Sequence, residues 1–215
     1  MLSNDTFRKL EHIVRGVSLE EETDHCTAAR NYLCASFSTS RTVKKDFERN
    51  AIIKKEQAEH LKDYATRNKL WVSGLSDKAL YLTRGGEAEV YLGNDGQSVI
   101  KVNDAIYYAT WLEFFNSITI HNLIFPDTTY TFLGFIETDG VLKAVLQQPY
   151  IISDDQVDLK DVKQHLAYNG FENIKRNDYK NSSLGILLED IHDENVLSNS
   201  GLLFFIDTVF YTISE

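Results

Sequence analysis

The sequence contains few cysteines, and this shortage argues against a disulfide framework. Cys26 and Cys34 are the two cysteines among 215 residues, and Met1–Leu10 contains no apolar core of a secretion signal. Cysteines of proteins without such a signal are usually reduced, so we expect free thiols. A metal site with His25 is conceivable, but the spacing of these three residues matches no common zinc pattern.

Basic residues and long apolar runs are also scarce. Lys and Arg number 22 against 32 Asp and Glu, which gives a net charge of −10 at pH 7. Because binding to nucleic acid needs clustered positive charge, we expect no nonspecific binding to DNA or RNA. No apolar run reaches the roughly 18 residues of a membrane span, so we expect no membrane association and a cytoplasmic location. Disorder is not expected either, because 43% of the residues are apolar and 12% are aromatic.

The N-terminal part of the chain predicts helices without a catalytic set of residues. Ser18 and Glu21 form a capping-box pattern ahead of a helix that ends near Leu33. The stretch Thr42–Lys69 is rich in Lys, Glu and Ala and carries a loose apolar stripe at helical spacing. We predict that residues 1–74 form a helical extension, with binding of a protein partner as its possible role.

From Lys78 onward the pattern changes to short strands with hairpin turns. The turns are Asn94-Asp95-Gly96 and Thr138-Asp139-Gly140, and Gly readily adopts the positive φ that tight hairpins require. The predicted order is strand, strand, strand, helix, strand, strand. The strands are Ala79–Thr83, Glu89–Leu92, Ser98–Val102, Thr131–Glu137 and Val141–Gln148, and the helix is Ile106–Asn122.

Past Pro149 the signals are weaker. Leu159–Asn169 predicts a helix that Gly170 ends. Phe171–Lys180 and Gly185–Leu188 suggest a hairpin, and Leu202–Ile206 suggests a short apolar strand.

The first motif with chemical potential is the glycine pair Gly85-Gly86 between two predicted strands. Paired glycines allow backbone N–H groups to approach phosphates closely, because no Cβ stands in the way. The same pair is also typical of an ordinary hairpin turn. The glycines alone therefore leave both interpretations open.

The second motif is Lys101 within the apolar strand Val99-Ile100-Lys101-Val102. An unpaired ammonium is costly to bury, so Lys101 needs a partner, and Glu113 on the following helix is a candidate. Such an ion pair would hold the lysine against nucleotide phosphates. Alternatively, Lys101 lies on an edge strand and extends its ammonium to the surface.

The third motif is Asp190 with Asn195 five residues later and Asp207 after an apolar strand. In a phosphoryl-transfer site, the first Asp accepts the proton of the acceptor hydroxyl, and the Asn and second Asp bind Mg²⁺. Each Asp alone is also typical of a turn or a helix cap. The ordered combination with the glycines and the lysine favours phosphoryl transfer.

At these residues the chain resembles the protein-kinase-like superfamily. Asp190-Ile-His-Asp-Glu-Asn195 is similar to the Asp-Leu-His-Pro-x-Asn form of aminoglycoside-phosphotransferase-like small kinases. The closer likeness is to the short kinase domains of bacterial polyvalent proteins of mobile elements. It extends from Lys78 to the end and is carried by Trp111-Leu-Glu-Phe-Phe-Asn, by Gly170-Phe171 through Tyr179, and by Asp190 through Asp207.

The resemblance implies an α+β, protein-kinase-like fold that binds ATP and Mg²⁺ between two lobes. Residues 75–148 would form an N-lobe with a five-stranded antiparallel sheet and one helix, and residues 149–215 a reduced C-lobe with the catalytic and metal-binding loops. By this resemblance, Gly85 and Gly86 would cover the phosphates, Lys101 would contact them, and Glu113 would hold Lys101. Gln147 and Gln148 would lie in the hinge between the lobes. Asp190 would be the catalytic base, and Asn195 and Asp207 would bind the metal. His192 would lie near the phosphates or make a structural hydrogen bond.

Several departures from the kinase pattern keep the function open. Ala88 replaces the last glycine of the usual loop, Thr208-Val209 replaces Phe-Gly, and the chain ends eight residues after Asp207. We therefore expect no activation segment. The chain is either a phosphotransferase acting on a hydroxyl of an unknown protein or small molecule, or a pseudokinase-type nucleotide-binding or interaction module. A third interpretation is an α+β interaction protein whose motif residues do not converge.

Overall fold

The computed structural model describes residues 2–20, 24–36, 47–75, 79–86 and 88–213. Glu21 of the predicted capping box, residues 42–46 of the predicted long helix, Lys78 and Glu87 lie outside these ranges. The chain divides into two compact units. We call them the sheet unit (Glu20–Phe115 and Tyr130–Tyr150) and the tail unit (Met1–Leu19, Asn116–Thr129 and Ile151–Glu215).

The sheet unit is built on five antiparallel strands. They are β1 (Ala79–Arg84), β2 (Ala88–Gly93), β3 (Ser98–Asn103), β4 (Thr131–Thr138) and β5 (Val141–Pro149), in the spatial order β1-β2-β3-β5-β4. Both predicted hairpin turns form, with positive φ at Gly96 (65°), Asp139 (53°) and Gly140 (77°). The predictions of mixed α+β structure and of a five-stranded antiparallel sheet are confirmed.

In the described part of the sheet unit, helices α2 (His25–Ser36) and α3 (Phe47–Asn68) precede the strands, and helix α1 (Asn4–Val14) belongs to the tail unit. The predicted start of α2 after Ser18 is wrong, because Asp24 rather than Ser18 caps this helix. One Asp24 carboxylate oxygen accepts a hydrogen bond from the Thr27 backbone N–H at 2.9 Å, and the other accepts from the Thr27 hydroxyl at 2.8 Å.

Strand β4 contains a bulge between Phe132 and Gly134, and another stretch of chain approaches the strand closely at Gly134. The Phe135 N–H donates to Leu70 O at 2.7 Å, and the Val72 N–H donates to Phe135 O at 2.8 Å. Gly134 has a φ of 135°, and a Cβ at this position would overlap the Leu70 carbonyl oxygen. Only glycine therefore fits this backbone position without rearrangement.

Helix α4 (Trp111–Ile124) begins in the sheet unit. Thr110 Oγ1 accepts from the Glu113 N–H at 3.1 Å, and the Glu113 carboxylate accepts from the Ala109 N–H at 3.0 Å. These bonds satisfy N–H groups at the helix start, where no carbonyl of the helix is available. The N-terminal part of α4 packs edge-to-face on the sheet, with the rings of Phe115 and Phe132 at 5.3 Å between centroids.

The tail unit combines helices with two small sheets. Its helices are α1 (Asn4–Val14) and α5 (Leu159–Tyr168), with a 3₁₀ turn at Pro126–Thr128. Strands β6 (Glu172–Lys175), β7 (Asp178–Asn181), β8 (Ile186–Glu189) and β11 (Val209–Thr212) form a sheet in the order β11-β8-β7-β6, and β9 (Val196–Asn199) pairs with β10 (Leu202–Phe205). The predicted Phe171–Leu188 hairpin is thus a three-stranded meander, and β11 was not predicted.

The core of the tail unit draws on residues from far apart in the chain. Leu10 and Ile13 of α1 are buried in it together with Phe171, Ile186 and Phe205. Since each fully buried large apolar side chain contributes about 1.5–3 kcal/mol, α1 is a structural part of this unit. None of the helices in the described part of the chain is long and apolar enough to cross a membrane.

Candidate active site

Strand pairing in the tail unit gathers Asp190, Asn195 and Asp207. The β9–β10 hairpin pairs Val196 with Phe205, and just beyond it the Ile206 N–H donates to Asn195 O at 3.0 Å. Strand β8 pairs its last residue, Glu189, with Val209 at the start of β11. Asp190 directly follows β8, and Asp207 lies between β10 and β11. The two registers therefore bring these three polar residues to neighbouring strand ends.

Asp190 adopts a conformation that is uncommon outside glycine, with a φ of 65°. Asn195 Nδ2 donates to the Asp190 backbone oxygen at 2.9 Å and to its carboxylate Oδ2 at 3.2 Å. The Asp190 side chain is 59% exposed, so a hydroxyl group from solution can reach the carboxylate. The side-chain amide of Asn195 thus orients a carboxylate that remains accessible.

His192 faces the same carboxylate from within the loop. Its Nδ1 accepts a hydrogen bond from the Glu194 N–H at 3.2 Å, which leaves the proton of the neutral ring on Nε2. Nε2 lies 3.4 Å from Asp190 Oδ1. His192 therefore takes part in a local hydrogen-bonded structure, and its role near the phosphates stays a prediction.

Asn195 and Asp207 are suitable ligands for a hard cation. Each offers a side-chain oxygen, and Mg²⁺ typically takes one or two protein carboxylates and completes its shell with water and substrate phosphates. Within the described ranges, no group of three or more His, Cys, Asp or Glu side chains is placed to hold a metal by itself. The side-chain oxygens of Asn195 and Asp207 therefore fit a hard cation such as Mg²⁺ in their chemistry.

Lys101 lies on β3, the middle strand of the sheet unit, and is 7% exposed. Its Nζ lies 3.4 Å from the Tyr130 hydroxyl oxygen and 5.3 Å from the centre of the Tyr130 ring. An ammonium within about 6 Å of an aromatic ring is attracted to the ring face. Tyr130 is a contact of Lys101 that the sequence analysis missed, and the predicted pairing of Lys101 with Glu113 stays a prediction.

The glycine turn joins β1 to β2, and the Gly85 N–H donates to Ala88 O at 2.9 Å. Ala88 pairs with Asn103, so the turn lies beyond the end of the strand that carries Lys101. A Cβ on Gly86 would be 2.9 Å from the Tyr107 hydroxyl oxygen. The glycine thus allows the side chain of Tyr107 to approach the turn.

The predicted hinge residues lie on β5. Gln147 Nε2 donates to Ser98 Oγ at 2.9 Å, and Gln148 is buried opposite Val99. Through β5 and β3, the sheet unit thus brings Lys101, Gln147 and Gln148 into one sheet. Asp190, His192, Asn195 and Asp207 form a separate set in the tail unit.

Lys54 on α3 is a further partly buried cation that the sequence analysis missed. Its Nζ donates to Ala105 O at 2.6 Å and to Tyr108 O at 2.9 Å, the two ends of the short loop that carries Tyr107. Burial lowers the pKa of Lys54, and the carboxylates of Asp104 and Glu113 oppose that shift. Lys54 therefore fixes the backbone of this loop.

Replacement of Lys54 by methionine is expected to reduce the free energy of unfolding by about 1–3 kcal/mol, because two backbone oxygens lose a charged donor. Chemical denaturation measures this change. Lys55→Met is the matched control, since Lys55 is exposed on the same helix and its loss should have little effect. Equal destabilisation by both variants would contradict the anchoring role of Lys54.

Comparison with known proteins supplies an independent observation. A family model described as "Serine/Threonine/Tyrosine Kinase found in polyvalent proteins" matches residues 54–214. No curated protein and no solved structure matches the chain. The match begins within α3 and includes both sets of candidate site residues. The chain belongs to this family of kinases found in polyvalent proteins.

Proposed function

We propose that this protein is a phosphotransferase that uses ATP and Mg²⁺ and has a protein-kinase-like fold with a reduced C-lobe. The observation that carries the proposal is the gathering of Asp190, Asn195 and Asp207 at neighbouring strand ends. Family membership supports the same reaction class. The acceptor is a hydroxyl group of a protein or a small molecule.

Each residue set has its own part in the proposed reaction. The Asp190 carboxylate accepts the proton of the acceptor hydroxyl, while the Asn195 amide keeps it oriented. Asn195 and Asp207 would hold Mg²⁺, which neutralises charge on the phosphates when bound. Lys101 would supply a positive charge for the phosphates, and the turn at Gly85 and Gly86 would cover them.

A nucleotide-binding module without turnover is the second candidate. The segment directly after Asp207 favours it, because β11 starts at Val209 and pairs with β8. Residues held in a sheet at this point do not form the mobile segment with which many protein kinases recognise their substrates. Tight ATP binding without release of ADP would favour this candidate over the enzyme.

Titration with ATP, in Mg²⁺ or in EDTA, tests the proposal by calorimetry or thermal shift. Asp207→Asn is expected to weaken ATP binding by about 10- to 100-fold in the presence of Mg²⁺ and to leave it unchanged in EDTA, because it removes a charged metal ligand. Lys101→Met is expected to weaken binding by a similar factor of about 10–100 in both conditions, because the lysine contacts phosphate directly.

Asp193→Asn is the matched control, since Asp193 is an exposed carboxylate of the same loop as Asp190. Its ATP affinity should equal that of the wild type. Wild-type protein that binds no ATP in either condition would end the proposal.

A further inference from the structure

The segment that carries Asp207 is held by buried polar contacts from a distant part of the tail unit. We call residues 205–210 the Asp207 segment. Thr128 Oγ1 donates to Phe205 O at 2.6 Å, His121 Nδ1 lies 2.7 Å from Thr208 Oγ1, and the Phe210 N–H donates to Ser117 Oγ at 2.9 Å. These bonds anchor the Asp207 segment at its start, middle and end.

The hydrogen-bond partners determine which nitrogen of His121 carries the proton. His121 Nε2 lies 2.9 Å from Thr128 O, a carbonyl oxygen that can only accept, so Nε2 carries a hydrogen. In the neutral ring Nδ1 is then an acceptor, and the Thr208 hydroxyl donates to it. Because His121 is fully buried and both nitrogens are engaged, the ring fixes the position of Thr208 relative to α4.

Aromatic packing supports the same arrangement. The rings of Phe125 and Phe205 are stacked, with 4.1 Å between their centres and 9° between their planes. Phe205 and Thr208 are both buried, while Asp207 between them is exposed. The backbone on either side of Asp207 is therefore fixed, and its carboxylate remains accessible to a ligand.

We propose that His121 and Thr208 are positioning residues that hold Asp207 where it can bind Mg²⁺ of the nucleotide complex. The inference rests on the proposed function. Neither residue touches the metal in this proposal; they act through the backbone of the Asp207 segment. A carboxylate on a backbone that is already fixed loses less conformational freedom when it binds the cation.

Thr208→Val tests this role, because valine has nearly the shape of threonine but lacks the hydroxyl. We expect its ATP affinity to fall about tenfold in Mg²⁺ and to remain unchanged in EDTA, as is typical for loss of a group that orients a metal ligand. Thr208→Ser keeps the hydroxyl, so the ratio of its ATP affinity in Mg²⁺ to that in EDTA should equal the wild-type ratio. Thr212→Val, in the same strand as Val209, is the matched control and should behave as wild type.

Hydrogen exchange of the nucleotide-free protein gives a second measurement that does not depend on ATP. Backbone amides of residues 206–210 should exchange faster in Thr208→Val than in the wild type or in Thr212→Val. Ser117→Ala removes another hydrogen bond to the Asp207 segment. It should likewise lower ATP affinity in Mg²⁺ and speed exchange of residues 206–210, which provides a test if Thr208→Val folds poorly.

The outcomes separate this inference from the proposed function. The positioning role alone would be overturned if the wild type binds Mg-ATP and Thr208→Val has the same ATP affinity and the same rates of hydrogen exchange. An equal loss of affinity in Mg²⁺ and EDTA would also overturn it, because the residue would then support the fold rather than the metal ligand. If the wild type binds no ATP, both the function and the positioning role fail, even if exchange increases.

Discussion

Asp190→Asn is expected to lower the rate of phosphoryl transfer by about 100- to 10,000-fold, the usual contribution of a general base. Asparagine has the size of aspartate and tolerates the positive φ of this position, so the loop should keep its structure. It cannot accept the proton of the attacking hydroxyl. ATP affinity should therefore stay close to that of the wild type, and release of ADP or autophosphorylation measures the rate.

Two comparisons make the Asp190 result interpretable. Asp193→Asn removes a carboxylate from the same loop and should retain full activity. Undiminished transfer by Asp190→Asn would contradict the role as base. If the wild type binds ATP but transfers nothing to water, to itself or to a panel of hydroxyl acceptors, the second candidate function takes precedence.

Gly134→Ala is expected to have the largest effect on stability, a loss of more than about 3 kcal/mol. The added methyl group would overlap the Leu70 carbonyl oxygen, which is part of the backbone and cannot rotate away. The strand or the Leu70–Val72 stretch would have to move, and the bonds between Leu70, Val72 and Phe135 would weaken. Denaturation by urea measures the change.

Gly140→Ala is the control for Gly134→Ala. Gly140 also has a positive φ, 77°, but a Cβ there meets nothing within 4 Å. Only the conformational cost of about 1–2 kcal/mol remains. If the two variants lost the same stability, steric overlap at Gly134 would not be the cause.

The sheet was predictable because its signals are local. Short apolar runs indicate the strands, and the Asp-Gly pairs at residues 95–96 and 139–140 indicate the turns between them. Each signal lies within a few residues of the structure that it predicts. For the same reason the grouping of Asp190 with Asn195 could be predicted, since only four residues lie between them in the chain. Strand β11 was missed because its four residues are too few to show a clear alternation.

Contacts between distant positions were not predictable from a single sequence. Tyr130 lies 29 residues after Lys101, and Thr208 lies 87 residues after His121. Nothing in the spacing of these residues indicates that they meet, because their proximity results from the path of the whole chain. The start of α2 was misplaced for a more local reason: Asp24 competes with Ser18 as the cap, and both residue types are good N-caps.

The presence of α1 in the tail unit has a consequence for the order in which the protein acquires its structure. Leu10 and Ile13 pack with residues such as Phe171 and Phe210. During synthesis these two side chains leave the ribosome long before their partners exist, whereas the sheet unit is complete once Tyr150 has emerged. Until the last strands are made, the apolar face of α1 lacks most of its core partners, so we expect chaperones to bind the nascent chain there.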